Sequence, residues 1–224
     1  MAKAKAKPAR DEAALKQAVL DAALVHVPFD GFSEATLKRA GEEAGVDAET
    51  LARLFPNREL SLVEEFSAAT DREMEARLAK INMADLRIRE RIATAVKTRL
   101  AVLKSHKEAA RRAAAFLTLP PHAGLGGRLV WRTVDLMWRA VGDTATDFNF
   151  YTKRGILAGV YSATLMRWFT DKTDDESETN AFLDARIENV MQFEKFKAQM
   201  KGELAKLPTL TEILNGFNRG RPLV

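Results

Sequence analysis

The sequence predicts an all-α protein, and two features carry that expectation. Apolar residues recur at helical spacing along most of the chain, while no stretch of useful length alternates with the period of a strand. Seven prolines in 224 residues, with 29% charged and 46% hydrophobic residues, suit helices better than a turn-rich β fold. A chain of this length can bury a real core.

The elements follow in order. A first helix is expected from about Asp11 to His26, with Leu15, Val19 and Ala22 on one face and a break over Val27–Phe32. Ser33 is a good N-cap for a second helix to about Ala44. Gly45-Val46 makes a sharp turn, and Asp47 caps a short third helix to about Phe55. A long fourth helix is expected from about Arg58 to Ile81, then helices over Ala84–His106 and Lys107–Leu119. Pro120-Pro121 with Gly124, Gly126 and Gly127 read as a break before a helix over Arg128–Val141. Two more helices are expected over Asp147–Asp171 and Glu178–Leu204.

Composition narrows the function. The chain has no cysteine, which excludes disulfides, thiolate catalysis and cysteine-based metal sites. His26, His106 and His122 are scattered without carboxylate–histidine spacing, and Gly124–Gly127 lacks the Lys-Ser/Thr of a phosphate loop. No nucleophile–base set is suggested, so neither enzyme activity nor a cofactor or metal is expected. The net charge of +4 equals the charge of Lys3, Lys5, Lys7 and Arg10, which leaves the rest formally neutral. A basic, solvated tail over residues 1–10 is the simpler reading than a DNA-binding arm. The longest uncharged apolar segment, Gly155–Met166, is too short to span a bilayer.

Residues Ala35–Arg58 resemble the TetR-family helix-turn-helix, through Ala44-Gly45-Val46, Leu51, Leu54-Phe55-Pro56 and Arg58. Val46, Leu51 and Phe55 can lock the two helices together. The groove chemistry is missing. The third helix offers Asp47, Glu49, Thr50 and Arg53, two acids against one base, where phosphates call for lysine and arginine. Residues 11–58 are therefore read as a degenerate helix-turn-helix with no nucleic acid bound; the alternative is a ligand-responsive TetR-type repressor.

The richest stretch runs from Val134 to Asp171. Trp131, Val134, Trp138 and Val141 share a face, and Asp135 needs an arginine or a helix N-terminus if it is buried. Asp147, Phe150, Tyr151 and Arg154 fall on one face of the next helix, flanked by Asn149 and Lys153. Two readings stay open there: an interface hot spot, or capping by Asp147 with inward-packed aromatics. Further along, large residues alternate with Gly155, Ala158, Gly159, Ser162 and Ala163, so the helix is apolar nearly all round. Such a helix must be buried or must line an apolar pocket. Trp131, Trp138, Leu157, Tyr161, Leu165 and Trp168 are either core residues packed between helices or the candidate contacts of such a pocket.

The run Val-Asp-x-x-Trp-x-x-x-Gly-Asp-x-x-Thr-Asp-x-Asn-x-Tyr-Thr-x-Arg, read from Val134 to Arg154, resembles the signature of the ubiquinone (coenzyme Q) biosynthesis accessory protein nine family. The resemblance covers nearly the whole chain. It implies a homodimeric, TetR-like helical fold with a larger lipid-binding and dimerisation region, here residues 59–204. It implies an apolar cavity for an isoprenoid quinone precursor or a phospholipid, which makes Trp131, Trp138, Leu157, Tyr161, Leu165 and Trp168 the candidate lipid contacts. It also implies a di-iron demethoxyubiquinone hydroxylase as partner, bound by the face carrying Asp147, Asn149, Phe150, Tyr151 and Arg154. Phe150 departs from the family, which often has tryptophan there; apolar bulk survives and the indole N–H is lost.

In the last segment, residues 205–224, Leu207, Leu210, Ile213, Leu214 and Phe217 recur at helical spacing before Arg219 and Arg221. This amphipathic helix either docks on the chain's own core or a dimer mate, or lies in a membrane interface; the family resemblance implies the membrane, with Leu210, Ile213, Leu214 and Phe217 as the candidate contacts. The N-terminus has neither the apolar core of a secretory signal nor the Arg/Ser spread of a transit peptide. The expected location is the bacterial cytoplasm at the inner membrane, or the mitochondrial matrix for a eukaryotic chain freed of its leader.

Overall fold

Every regular element among the described residues is helical. In the computed structural model these are residues 9–144, 146 and 148–204, with side chains described over 12–144, 146 and 149–192. The order is α1 (Ala9–Asp30), α2 (Glu34–Glu43), α3 (Ala48–Leu54), α4 (Glu59–Leu78) and α5 (Ile88–Leu103). A 3-10 turn over Lys104–His106 leads into α6 (Lys107–Thr118), and α7 (Ala123–Ala140), α8 (Phe148–Thr170) and α9 (Ser177–Leu204) follow.

The first two caps form as the sequence predicts. Ser33 Oγ accepts from Thr36 N at 3.1 Å, and Asp47 Oδ1 accepts from Thr50 N at 2.9 Å. Gly45 takes φ +67° in the turn between α2 and α3, a conformation that costs any side chain. Val46 and Phe55 are buried, and Leu51 fills the space beside Gly41, where a Cβ would meet Leu51 Cδ2 at 2.7 Å.

Two expected breaks fall elsewhere. α1 runs through Pro28 to Asp30 rather than ending near His26. Proline removes one intrahelical bond, but Val27 just before it is fully buried and Gly31 N still donates to Val27 O at 2.9 Å. Arg112 Nη2 donates to the Pro28 carbonyl at 3.0 Å and holds that end of α1 against α6. Likewise α7 starts at Ala123 and takes all three glycines into its first turns. A Cβ on Gly126 would lie 3.2 Å from the Leu117 Cβ and carbonyl oxygen, so glycine lets α7 begin against α6.

Burial follows helix faces. In α4, Leu62, Phe66, Thr70, Met74 and Leu78, each four apart, are all buried, and the Thr70 hydroxyl is satisfied by Phe66 O at 2.8 Å. α4 packs on α1, α5 and α7; α8 packs between α7 and α9; and α9 also meets α5. One row of α8, comprising Arg154, Leu157, Tyr161, Thr164 and Trp168, is buried. The opposite row, Tyr151, Gly155, Gly159, Ala163 and Met166, is exposed. α8 is therefore partly buried against α7 and α9, partly lines apolar cavities, and leaves one row of small and aromatic residues exposed.

Candidate ligand cavities and aromatic surface

The corner between α7 and α8 is held by charge. Arg154 is 1% exposed. Its Nε donates to Asp135 Oδ1 at 2.6 Å, and its Nη1 donates to Asp143 Oδ2 at 3.1 Å and to Phe150 O at 3.2 Å. Arg139 reaches the other oxygen of Asp135 at 2.8 Å, and Lys153 Nζ pairs with Asp143 at 2.7 Å. Asp135 is part-buried, and the arginine that answers it from the interior is Arg154. This corrects the expectation that Arg154 belongs to an exposed docking face: its guanidinium is used inside, because two carboxylates from α7 and the following turn must be neutralised there.

Above this network lies a cluster of aromatic rings. Phe150 rests on the Arg154 guanidinium, 3.5 Å from its centroid. Tyr151 meets Phe150 edge-on at 5.1 Å, and Trp131 stacks with Tyr151 at 6.3 Å. Tyr151 is 62% exposed and Trp131 37%. Trp131, expected among the lipid contacts, instead belongs to this surface, because α7 turns it toward α8's exposed row. Asn149 is exposed beside it. Asp147, Leu210, Ile213, Leu214 and Phe217 lie outside the described residues.

Two apolar cavities flank α8. The smaller, about 280 Å³, lies among α5, α7, α8 and α9 and is lined by Ile92, Trp138, Ile156, Leu157, Val160 and Ile187, with Arg89, Asn149 and Lys153 among its polar groups. Trp138 is anchored by its Nε1 donating to Lys153 O at 3.1 Å. The larger, about 480 Å³, lies among α4 to α8; Val63, Phe66, Leu117, Val130 and Leu165 line it, together with Tyr161. Of the candidate lipid contacts, Trp138 and Leu157 meet the first cavity and Tyr161 and Leu165 the second. Trp168 lines neither: it is fully buried, with Nε1 donating to Glu176 at 2.9 Å and Lys107 Nζ 4.8 Å from its ring. It anchors the end of α8 rather than contacting a guest.

The larger cavity has one polar wall. Asp71, 1% exposed, accepts a short hydrogen bond from Arg99 Nη1 and one from Thr133 Oγ1 at 3.0 Å through the same oxygen, Oδ1. Its Oδ2 has no hydrogen bond; Arg132 Nε stands 3.3 Å away, an ion pair without hydrogen-bond geometry. Arg99 Nε donates to the Tyr161 hydroxyl at 3.3 Å, and Nη2 reaches Ser67 Oγ at 3.5 Å. Burial raises the Asp71 pKa above the ordinary carboxylate value, against the pull of Arg99 and Thr133. Of these residues the sequence singled out Tyr161 alone; Asp71, Arg99, Thr133, Arg132 and Ser67 were missed. The available signal was Arg99 standing in line with Ile92, Val96 and Leu103 on the buried face of α5, a charge within an apolar stripe.

The entry to α9 is tied down by Asp171. Its Oδ1 accepts from Thr173 N and Oγ1 at 2.9 and 2.6 Å, and its Oδ2 from Thr179 N and Oγ1 at 2.8 and 2.6 Å. These bonds, chiefly from the two threonines, hold its carboxyl far below the usual range. A depressed folded-state value means the stabilisation is complete above the unfolded value of about 3.9 and is lost as pH falls below it. Asp171→Ala should lower the thermal midpoint at pH 7 by several degrees, with the gap to wild type closing as the pH is taken below 4; a gap constant with pH would contradict this role.

Among the described residues no three His, Asp or Glu side chains converge as a metal site, and no helix is long and apolar enough to cross a membrane. Helices stacked around apolar cavities, behind a short α2–α3 pair, define a TetR-like fold. A TetR transcriptional regulator from Nitrosomonas europaea superposes with TM-score 0.62 over 78% of this chain and 97% of its own, at 17% identity, which is a likeness of fold.

The family likeness follows from sequence. The COQ9 family model matches residues 123–194, which span α7, α8 and most of α9. The rat ubiquinone biosynthesis protein COQ9, mitochondrial, is 30% identical over 85% of this chain and 63% of its own length. The human protein of the same name is 29% identical over 85% and 62%. A probable ubiquinone biosynthesis protein coq9 from Dictyostelium discoideum is 25% identical over 82% and 62%. The chain is similar to COQ9-family proteins along most of its own length, and it spans somewhat under two thirds of the length of these relatives.

Proposed function

We propose that this protein is a non-catalytic, lipid-binding accessory protein of ubiquinone biosynthesis. It holds a polyprenylated quinone precursor, or a phospholipid, in the cavities beside α8 and presents it to the demethoxyubiquinone hydroxylase. The observation that carries this reading is the pair of apolar cavities on the flanks of α8, with a Trp131–Phe150–Tyr151 cluster, its Trp131 and Tyr151 exposed, at the same helix's start. A long prenyl tail is nearly insoluble, and its burial gains about 0.8 kcal/mol per methylene. Exposed rings over a rigid base are what a protein hot spot is made of.

The rest of the proposal concerns assembly. Residues 59–204 form the lipid-binding and dimerisation region, two copies pair as a homodimer, and residues 205–224 contact the membrane peripherally, at the bacterial inner membrane or on the matrix side in mitochondria. The α2–α3 pair is a retained scaffold. Its arginines are paired with acids, Arg53 with Glu12, Arg58 with Glu34 at 2.6 Å and Arg39 with Glu43 at 3.1 Å, which leaves Lys38 as the remaining base for phosphates.

Solvent extraction of the purified chain followed by mass spectrometry tests the ligand: a prenylated or acyl lipid is expected in stoichiometric yield, and an empty protein that takes up none from vesicles would overturn the reading. For the partner, Tyr151→Ala combined with Trp131→Ala should leave helicity intact and weaken hydroxylase capture by about 30-fold. Undiminished capture removes the aromatic cluster from the interface. Arg154 is unsuitable for this test, because its replacement disturbs the fold.

A further inference from the structure

The polar wall of the larger cavity bears on what kind of molecule fits there, given the reading that the cavity holds a ligand. Among the described residues Arg99 is the sole charged one lining it. Its charge is already balanced by Asp71, which is buried behind it. Arg132 approaches Asp71 from the outside with its side chain half exposed, so water screens that second positive charge. The inner face is therefore polar but carries no net charge.

The hydrogen-bond inventory is more specific. The Tyr161 hydroxyl, buried with its ring, accepts from Arg99 Nε, and among the described residues nothing accepts its proton. Ser67 Oγ takes only the long bond from Arg99 Nη2, and its proton too has no acceptor among the described residues. Two hydroxyl donors thus flank a neutralised guanidinium at the wall of an otherwise apolar space. At the buried Tyr161 a donor left unmatched is costly, and a ligand oxygen that accepts from it recovers that cost, with the part-buried Ser67 as a second donor beside it.

We infer that this cavity selects ligands whose apolar chain ends in an uncharged acceptor oxygen, such as a ketone or ring carbonyl, read by Tyr161 and Ser67. The Arg99–Asp71 pair acts as a charge filter. An anionic head would surrender its hydration to meet an arginine already paired, with a carboxylate close behind it. A plain hydrocarbon leaves both hydroxyls unmatched. Tyr161 and Ser67 are recognition residues; Asp71 acts through Arg99 and positions its charge.

Three probes with a common farnesyl chain separate these cases in equilibrium dialysis against the full chain: farnesylacetone, farnesyl monophosphate and farnesene. Wild type should bind the ketone about tenfold more tightly than either of the others. Tyr161→Phe, which keeps the ring and removes one hydroxyl, should cost about tenfold for the ketone and leave farnesene unchanged. Asp71→Asn should raise affinity for the phosphate at least about tenfold by unmasking Arg99, with the ketone little changed. Circular dichroism establishes that each variant folds; if Asp71→Asn does not, the Tyr161→Phe comparison still decides.

Equal binding of all three probes, or a wild-type preference for the phosphate, overturns the inference and leaves the lipid-binding reading standing. A Tyr161→Phe variant that weakens ketone and hydrocarbon alike overturns it too, since that is loss of packing. Failure of every probe to bind wild type overturns both.

Discussion

Replacing Arg154 with alanine is expected to lower the thermal midpoint by about 10 °C. Asp135 and Asp143 would then face each other across the α7–α8 corner without the guanidinium that bridges them at 2.6 and 3.1 Å. Removing one partner of a buried ion pair costs about 3–5 kcal/mol. Arg139 and Lys153 still reach the two acids, so the low end of that range applies, about 3 kcal/mol. In a chain of this size each kcal/mol moves the midpoint by about 2–4 °C. The Phe150 ring loses its base as well, so the aromatic cluster should loosen with the corner. Far-ultraviolet dichroism on heating measures the first effect and tyrosine fluorescence the second. A variant that melts with wild type would show that Arg139 and Lys153 neutralise the acids alone.

Arg99→Leu should be of similar size and should carry a pH signature. Asp71 would keep Thr133 and the half-exposed Arg132 but lose its buried counter-ion, at a cost of about 3 kcal/mol or more at pH 7. Burial already raises the Asp71 pKa, and removing Arg99 raises it further. A folded-state value above the unfolded one means the folded protein holds the proton more tightly, so stability falls as pH rises between the two values. The deficit of the variant should therefore shrink as pH is lowered from 7 toward 4, whereas that of Asp171→Ala shrinks only below 4. Denaturant titrations at pH 5 and 7 measure this. A deficit independent of pH would mean that the variant suffers from lost packing and not from an orphaned charge.

These two residues show which parts of the site could be read in advance. That α8 is apolar and helical follows from spacing, but which of its rows is buried does not, since Leu157, Tyr161 and Trp168 were separated from the exposed row only by the packing of α7 and α9. Asp135 could be marked as needing an arginine, since the desolvation cost of a carboxylate is independent of the fold. Which arginine answers it could not be read. Arg154 lies 19 positions along, on another helix, and only the angle at which α7 meets α8 brings the two together. The same angle sends Trp131 outward to Tyr151, while Trp138, seven residues on, faces a cavity. Asp71 and Arg99 escaped notice because their pairing crosses from α4 to α5 and neither helix carries a motif for it.

Period, caps and turn glycines were determined locally: Ser33 and Asp47 start their helices, and Gly45 bends the chain, through forces acting over three or four residues. Helix ends at Pro28 and at Gly124–Gly127, the burial of Arg154 and the neutral polar wall around Tyr161 were decided only by helix against helix. The physical reason is range. Hydrogen bonds within a turn are written in neighbouring residues, whereas burial and charge compensation depend on residues brought close by packing, and a single chain read in order does not state which those are.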